Sequence, residues 1–329
     1  MKLKIFLAFI VIVGPVIYFK YATRNNVDYG GQVVNSIERT ESEDDNGEVL
    51  RKSLAERRLE EARLERERVR MALDASFSAY FSESFSTSFE LEEAINMDAS
   101  TNDNFWVNSG AFLIVENDIG RTLFGELLKD SKWQKKYQAA REATAKETDG
   151  GYNPQNIFRL VTKSKWKNAE QKVFYNVRKY NLSDSFYRKA SNGILLFNRY
   201  QDGDNLYYVG LRVDGSVIVK KKYKKKYYTM ASEKILDGVY NQDTNPNLIP
   251  TNQWIGVKNK IKTVNSNQVE IKVFINMNKE KEDWKEVLTV VDDGKAFGGD
   301  AILTEGYAGI RTDFMDVEFD DYFVGEMRE

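Results

Sequence analysis

The reading of this chain turns on residues 195–215, LLFNRYQDGDNLYYVGLRVDG. Apolar and polar residues alternate on both sides of an Asp-Gly pair, the pattern of two strands joined by a tight turn. With Asp202-Gly203 as the turn, Tyr200 faces Asn205 and Arg199 faces Leu206. One face then carries Ile194, Leu196, Asn198, Tyr200, Asn205, Tyr207, Val209, Leu211 and Val213. The other carries Leu195, Phe197, Arg199, Leu206, Tyr208 and Arg212. Both faces are largely apolar, which places the hairpin centrally in a sheet, covered on one side and partly covered on the other. The first face reads as core. The second reads as a groove floor of apolar bodies, guanidinium groups and a phenol. Arg159 alternates with Phe158 and Leu160 in NIFRLVTKSKW and adds a third arginine to that floor. Two readings of these arginines stand side by side: they grip a ligand, or they cap acidic neighbours and stiffen the sheet.

The same period-two pattern recurs outward from the hairpin, giving about fourteen strands separated by turn signals. Examples are KVFYNVRKY, WIGVKNKIKTV, VEIKVFIN and DVEFDDYFV. Residues 131–146 form the one helical segment among them. No repeat of fixed period appears, which disfavours a propeller or solenoid. The fold expected for residues 76–329 is all-β: a curved antiparallel sandwich of two sheets.

The chain has 329 residues, 42% hydrophobic and 13% aromatic, enough for a large core. Its net charge of −2 provides no global field toward nucleic acid, and no nucleic-acid partner is expected. Cysteine is absent, which excludes disulfides and thiolate chemistry. Histidine is absent as well, which removes Ser-His-Asp catalysis, His-ligated zinc and a His general base. Catalysis, if present, falls to Asp, Glu, Tyr, Lys or Arg, or to an oxygen-ligated metal.

Residues 1–24 begin with Lys2 and Lys4 and continue in an apolar run closed by Lys20 and Arg24. The run lacks a good small-x-small cleavage site and reads as an uncleaved signal-anchor, with a cleaved signal peptide as the alternative. The globular part is then expected outside the cytoplasm, tethered to the membrane. Residues 25–49 are polar and acidic and read as a flexible tether. Residues 50–75 are dense in Leu, Ala, Glu and Arg and free of Gly and Pro, the composition of a charged stalk helix.

The run SNGILLFNRYQDGDNLYYVGLRVDGSVIVKKK, followed by NQWIGVKNKIKT, VEIKVFIN and GYAGIRTDFMDVEFDDYFV, resembles the concanavalin A-like lectin and glucanase superfamily. The resemblance implies a jelly-roll sandwich that holds a glycan on its concave face, and in many members a structural calcium. Together with the arginine and tyrosine face read above, it points to a non-catalytic, lectin-like role with Arg159, Arg199, Tyr208 and Arg212 on the ligand-binding floor. Catalytic members resembling laminarinases carry Glu-x-Asp-x-x-Glu on one strand, and no clean match occurs here. DVEFDD offers Asp316, Glu318 and Asp320 on one strand face, which suits a Ca2+ site better than acid/base chemistry. A polysaccharide hydrolase or lyase and an envelope protein-interaction domain remain as alternatives. Six lysines in the seven positions 220–226, with Tyr227 and Tyr228 beside them, form either a solvated hairpin or a contact for an acidic polysaccharide or other anionic polymer.

Overall fold

The structure is a computed structural model and describes residues 61, 63–64, 82–85 and 88–327. The chain divides into two compact units, Met1–Val69 and Arg70–Glu329. In the first, Glu61, Arg63 and Leu64 are helical and fall within the stretch read as a stalk. The anchor (1–24) and the tether (25–49) lie outside the described residues.

Sixteen strands are described in the second unit. In chain order they are β1 (Ser82–Ser84), β2 (Phe89–Glu92), β3 (Phe105–Ser109), β4 (Phe112–Glu116), β5 (Ile119–Thr122), β6 (Ile157–Trp166), β7 (Ala169–Tyr180) and β8 (Gly193–Asp202). They continue as β9 (Asn205–Arg212), β10 (Ser216–Tyr223), β11 (Lys226–Lys234), β12 (Trp254–Val264), β13 (Gln268–Asn276), β14 (Lys285–Asp292), β15 (Gly306–Asp313) and β16 (Met315–Glu326). Two short helices, α1 (Lys132–Gln138) and α2 (Glu142–Glu147), interrupt them between β5 and β6. The expected single helix over 131–146 therefore breaks in two, because Arg141 turns extended at ψ 146°.

All pairings are antiparallel and form two sheets. A nine-stranded sheet runs β14-β13-β12-β7-β16-β5-β4-β2, with β1 beside β16. A seven-stranded sheet runs β11-β10-β9-β8-β15-β6-β3. Their inner faces share one core, in which Ile194, Leu196, Val209 and Leu211 of the smaller sheet join Val173, Val257, Ile271 and Val317 of the larger. The strand β12 shows how sequence makes the layer. Ile255, Val257 and Ile261 point inward and are buried, while Lys260 and Lys262 point outward to Glu170 and Glu270 at 3.0 and 3.1 Å. Each buried aliphatic side chain contributes about 1.5–3 kcal/mol, and the outward ion pairs add little.

The hairpin of β8 and β9 is central, as the alternation implies, and its turn is shifted by one residue. Asp202 pairs with Asn205, so Gly203 and Asp204 make the turn. Asn198 still pairs with Tyr207, and the extra residues Arg199 to Gln201 form a bulge opposite Leu206. Arg199 takes a left-handed φ of 47° there. A Cβ on Gly306 of the neighbouring β15 would come within 2.5 Å of the Arg199 carbonyl carbon, so glycine is required against the bulge.

Candidate functional site

The bulge corrects the face assignment of two residues. Arg199 turns into the interior and is 1% exposed, while Tyr200 turns outward to Phe197. Arg199 donates from Nε and Nη2 to the Lys167 carbonyl, from Nη1 to the Ile302 carbonyl at 2.7 Å, and from Nη2 to Thr263 Oγ1 at 2.9 Å. Burial presses its pKa down to about 10, which still leaves it charged at neutral pH. The residue is a brace inside the sandwich and does not share a face with Tyr208.

Lys221 belongs to the same interior seam. It alternates inward between Lys220 and Lys222, opposite Tyr207. Its ammonium and the Asp292 carboxylate are 2.9 Å apart, with both side chains fully buried. Tyr207 donates to Asp292 at 2.7 Å and accepts from the Ile302 amide. Burial first, and then the neighbouring Asp292, push the Tyr207 phenol well above its ordinary range. Nearby, Asn259 donates to Asn198 across the two sheets at 3.0 Å.

The outer face of the seven-stranded sheet collects the other proposed residues. Tyr208 packs with Phe197, Leu206 and Val161 in a small apolar cluster on that side. Arg159 and Arg311 sit directly opposite each other on β6 and β15. Arg311 donates to Asp313 at 2.8 Å and to the Tyr208 hydroxyl at 3.3 Å, with its guanidinium 5.5 Å from the Tyr208 ring centre. Burial opposes the Arg311 charge most strongly, but Asp313, Tyr208 and Tyr227 together outweigh burial and hold the group firmly protonated. Arg159 donates to Ser109, and Arg212 donates to the Ala190 carbonyl and pairs with Asp214 at 2.8 Å. Arg311 is thus the residue that sequence reasoning missed. It lay in GYAGIRTD, but nothing local in the sequence shows that β15 enters the sheet between β6 and β8.

The rims of this face come from connections. The helix α2 supplies Glu147, whose carbonyl accepts from Asn156 at 2.9 Å. Burial raises the pKa of its carboxyl despite the nearby Arg311 and Arg159, and Asp313 adds to the rise. At another end a small cavity is lined by Asn181, Arg188, Lys189, Asn192, Tyr240 and Asp313. The Asp313 Oδ2 is buried there without a hydrogen-bond partner. The β10–β11 hairpin forms a third border. Its Tyr227 is half-exposed, stacks on Tyr208 at 6.3 Å, and has the Lys222 ammonium 5.0 Å from its ring centre.

The acids of β16 do not converge. Asp316 accepts from Gln155, Asn181 and the Gly125 amide. Glu318 accepts from Asn176 at 2.9 Å, and Asp320 pairs with Lys279. A bulge between Asp316 and Val317 sets Asp316 out of register with the other two. Carboxylates already taken by amide and ammonium donors do not fit a shared Ca2+ ion. Among the described residues no group of three acidic side chains is arranged to hold a metal.

Neither a protein-family model nor a curated protein sequence matches the chain. Solved structures similar to it include a Bacillus licheniformis beta-glucanase, 10% identical, covering 76% of this chain and 98% of that one with a TM-score of 0.38. A legume lectin-like domain from Entamoeba histolytica is 11% identical, covering 72% and 97%, with a TM-score of 0.34. A carbohydrate-binding module, CBM66, from Bacillus subtilis is 12% identical, covering 52% and 82%, with a TM-score of 0.35. These neighbours are of the kind the concanavalin A-like resemblance points to. The two-sheet sandwich itself rests on the strand pairing given above.

Proposed function

We propose that the protein binds a glycan on the outer face of the seven-stranded sheet. The observation that carries this reading is the set of incompletely used donors around an aromatic floor. Among the described residues Arg311 engages two of its five N–H groups, and so does Arg212, while Arg159 engages one. Tyr227 offers a half-exposed ring beside them, and Asp313 offers a spare acceptor. Sugars present hydroxyls that both donate and accept, and apolar C–H faces that stack on aromatic rings. Binding would be modest per site and strengthened by display of several copies. Display outside the cytoplasm on an N-terminal anchor is part of the proposal and rests on the composition of residues 1–49.

Glycan-array screening followed by calorimetry on the full chain tests it. A bound glycan should lose about tenfold or more in affinity with Arg311→Lys, which keeps the charge and loses the planar fork. Absence of any bound glycan overturns the reading. Hydrolysis is the second reading, favoured by one observation: Glu147 has a raised carboxyl pKa beside the ionic pair Arg311–Asp313, as a general acid requires. Reducing-end release from a polysaccharide, abolished by Glu147→Gln, would establish it in place of simple binding.

A further inference from the structure

We infer that the glycan held on this face is acidic, and that Lys220 meets its carboxylate. This rests on the glycan-binding reading and narrows it to a substrate class. The lysine run at 220–226 divides by alternation. Lys221 goes inside to Asp292, while Lys220 and Lys222 go outside beside Tyr208 and Leu206. Lys222 is satisfied by Asp204 at 3.2 Å and by the Gly203 carbonyl. Lys220 has no ion pair among the described residues. It lies opposite Tyr208 on β9, with its ammonium 6.0 Å from the Tyr227 ring centre.

The charges around Lys220 are unbalanced. Arg311 is matched by Asp313 and Arg212 by Asp214. Lys189, from the cavity rim, is a further cation with no ion pair among the described residues. Half-buried Lys220 therefore sits near Arg212, Arg311 and Lys189, and of these only the two arginines have an acid of their own among the described residues. Burial first, and then Arg212, Lys189 and Arg311, press its pKa down, while Asp214 pulls weakly the other way. A site whose free state crowds like charges gains most from an arriving anion. The geometry favours a sugar over a bare anion. Tyr227 is half-exposed and has the Lys220 and Lys222 ammonium groups 6.0 and 5.0 Å from its ring centre, so a sugar ring stacked on it would bring its substituent carboxylate near an ammonium. A linear uronate polymer combines that ring and that charge in every residue.

Calorimetry of the full chain with polygalacturonate, and with the same polymer fully methyl-esterified, tests the inference. The charged polymer is expected to bind at least tenfold tighter, with affinity falling as salt rises. Lys220→Met should erase that preference and Lys220→Arg should keep it. Circular dichroism should show both variants folded, since Lys220→Met removes a crowded cation and Lys220→Arg keeps the charge already present. Equal binding of both polymers would overturn the acidic assignment while leaving glycan binding intact. Binding of neither, together with an empty glycan array, would overturn glycan binding itself. Phosphatidylglycerol vesicles or single-stranded DNA binding as tightly as polygalacturonate would show a general anion surface and overturn the inference.

Discussion

The two faces of the seven-stranded sheet use the same residue types to opposite ends. Inside, Arg199, Lys221, Tyr207 and Asp292 spend their hydrogen bonds on one another and on fixed carbonyls. Outside, Arg311, Arg212, Arg159 and Lys220 keep donors in reserve. Consecutive residues illustrate the split: Tyr207 and Lys221 face in, Tyr208 and Lys220 face out, on the same two paired strands. A cation next to an aromatic therefore signals binding only after its donors are counted. A buried charge with every donor engaged is structure, and an uncommitted charge at a rim is available.

Substitution separates the two faces most strongly at Lys221. Lys221→Met leaves Asp292 buried with its ammonium partner gone, and the expected cost is about 3–5 kcal/mol, read as a lower midpoint in urea denaturation. Lys221→Met combined with Asp292→Leu should recover a large part of that loss, because the uncompensated charge has gone. If the single variant loses less than about 1 kcal/mol, the interior seam is not a structural brace and the contrast between faces fails. Arg199→Met is the next largest. It strands the carbonyls of Lys167 and Ile302 and the hydroxyl of Thr263, and should cost about 2–4 kcal/mol. On the outer face, Arg212→Ala removes a partly exposed pair with Asp214 and should change stability by less than about 1 kcal/mol.

Much of this architecture was legible in the sequence. Alternation assigned Ile194, Leu196, Tyr207, Val209 and Leu211 to the core, and WIGVKNKIKTV marks β12 from end to end. Period-two patterning reports which side of a strand a residue occupies as long as the strand stays regular. Arg199 defeated it, because the bulge adds residues and reverses the face from that point on. No local signal marks the bulge; its complement, Gly306, is more than a hundred positions away. Residues 107–117, VNSGAFLIVEN, show another limit of the pattern, an apolar run that does not form one strand. It splits into β3 and β4 at Gly110 and Ala111, which both take positive φ. Tyr208, Arg212 and Arg159 were placed together on the outer face because alternation holds along their strands at those positions. Arg311 was missed because its importance depends on which strands become neighbours, and pairing order across a large sheet is not written in any one segment. Lys221 was hidden in a run of lysines that reads as uniformly solvated, although the inward Val217 and Val219 on the same strand set its direction.

The smallest effect belongs to Glu147, where the rim of the outer face meets α2. Its folded-state pKa is raised, chiefly by burial, so the ionised form is disfavoured in the native structure. The sign follows from linkage: a carboxyl of this kind contributes stability fully below its unfolded value of roughly 4.3, and that contribution is lost as pH rises through the higher folded value. Glu147→Gln removes the penalty at neutral pH and has none to remove in acid. The variant should therefore melt slightly higher than the wild type at pH 7, with the difference vanishing near pH 4. Thermal denaturation at the two pH values measures it. A carboxylate held in place by Arg311 and Arg159 would give the reverse, a variant less stable at pH 7. Glu147 would then count among the committed groups of the molecule, and the reserve of positive charge on the outer face would be smaller by one.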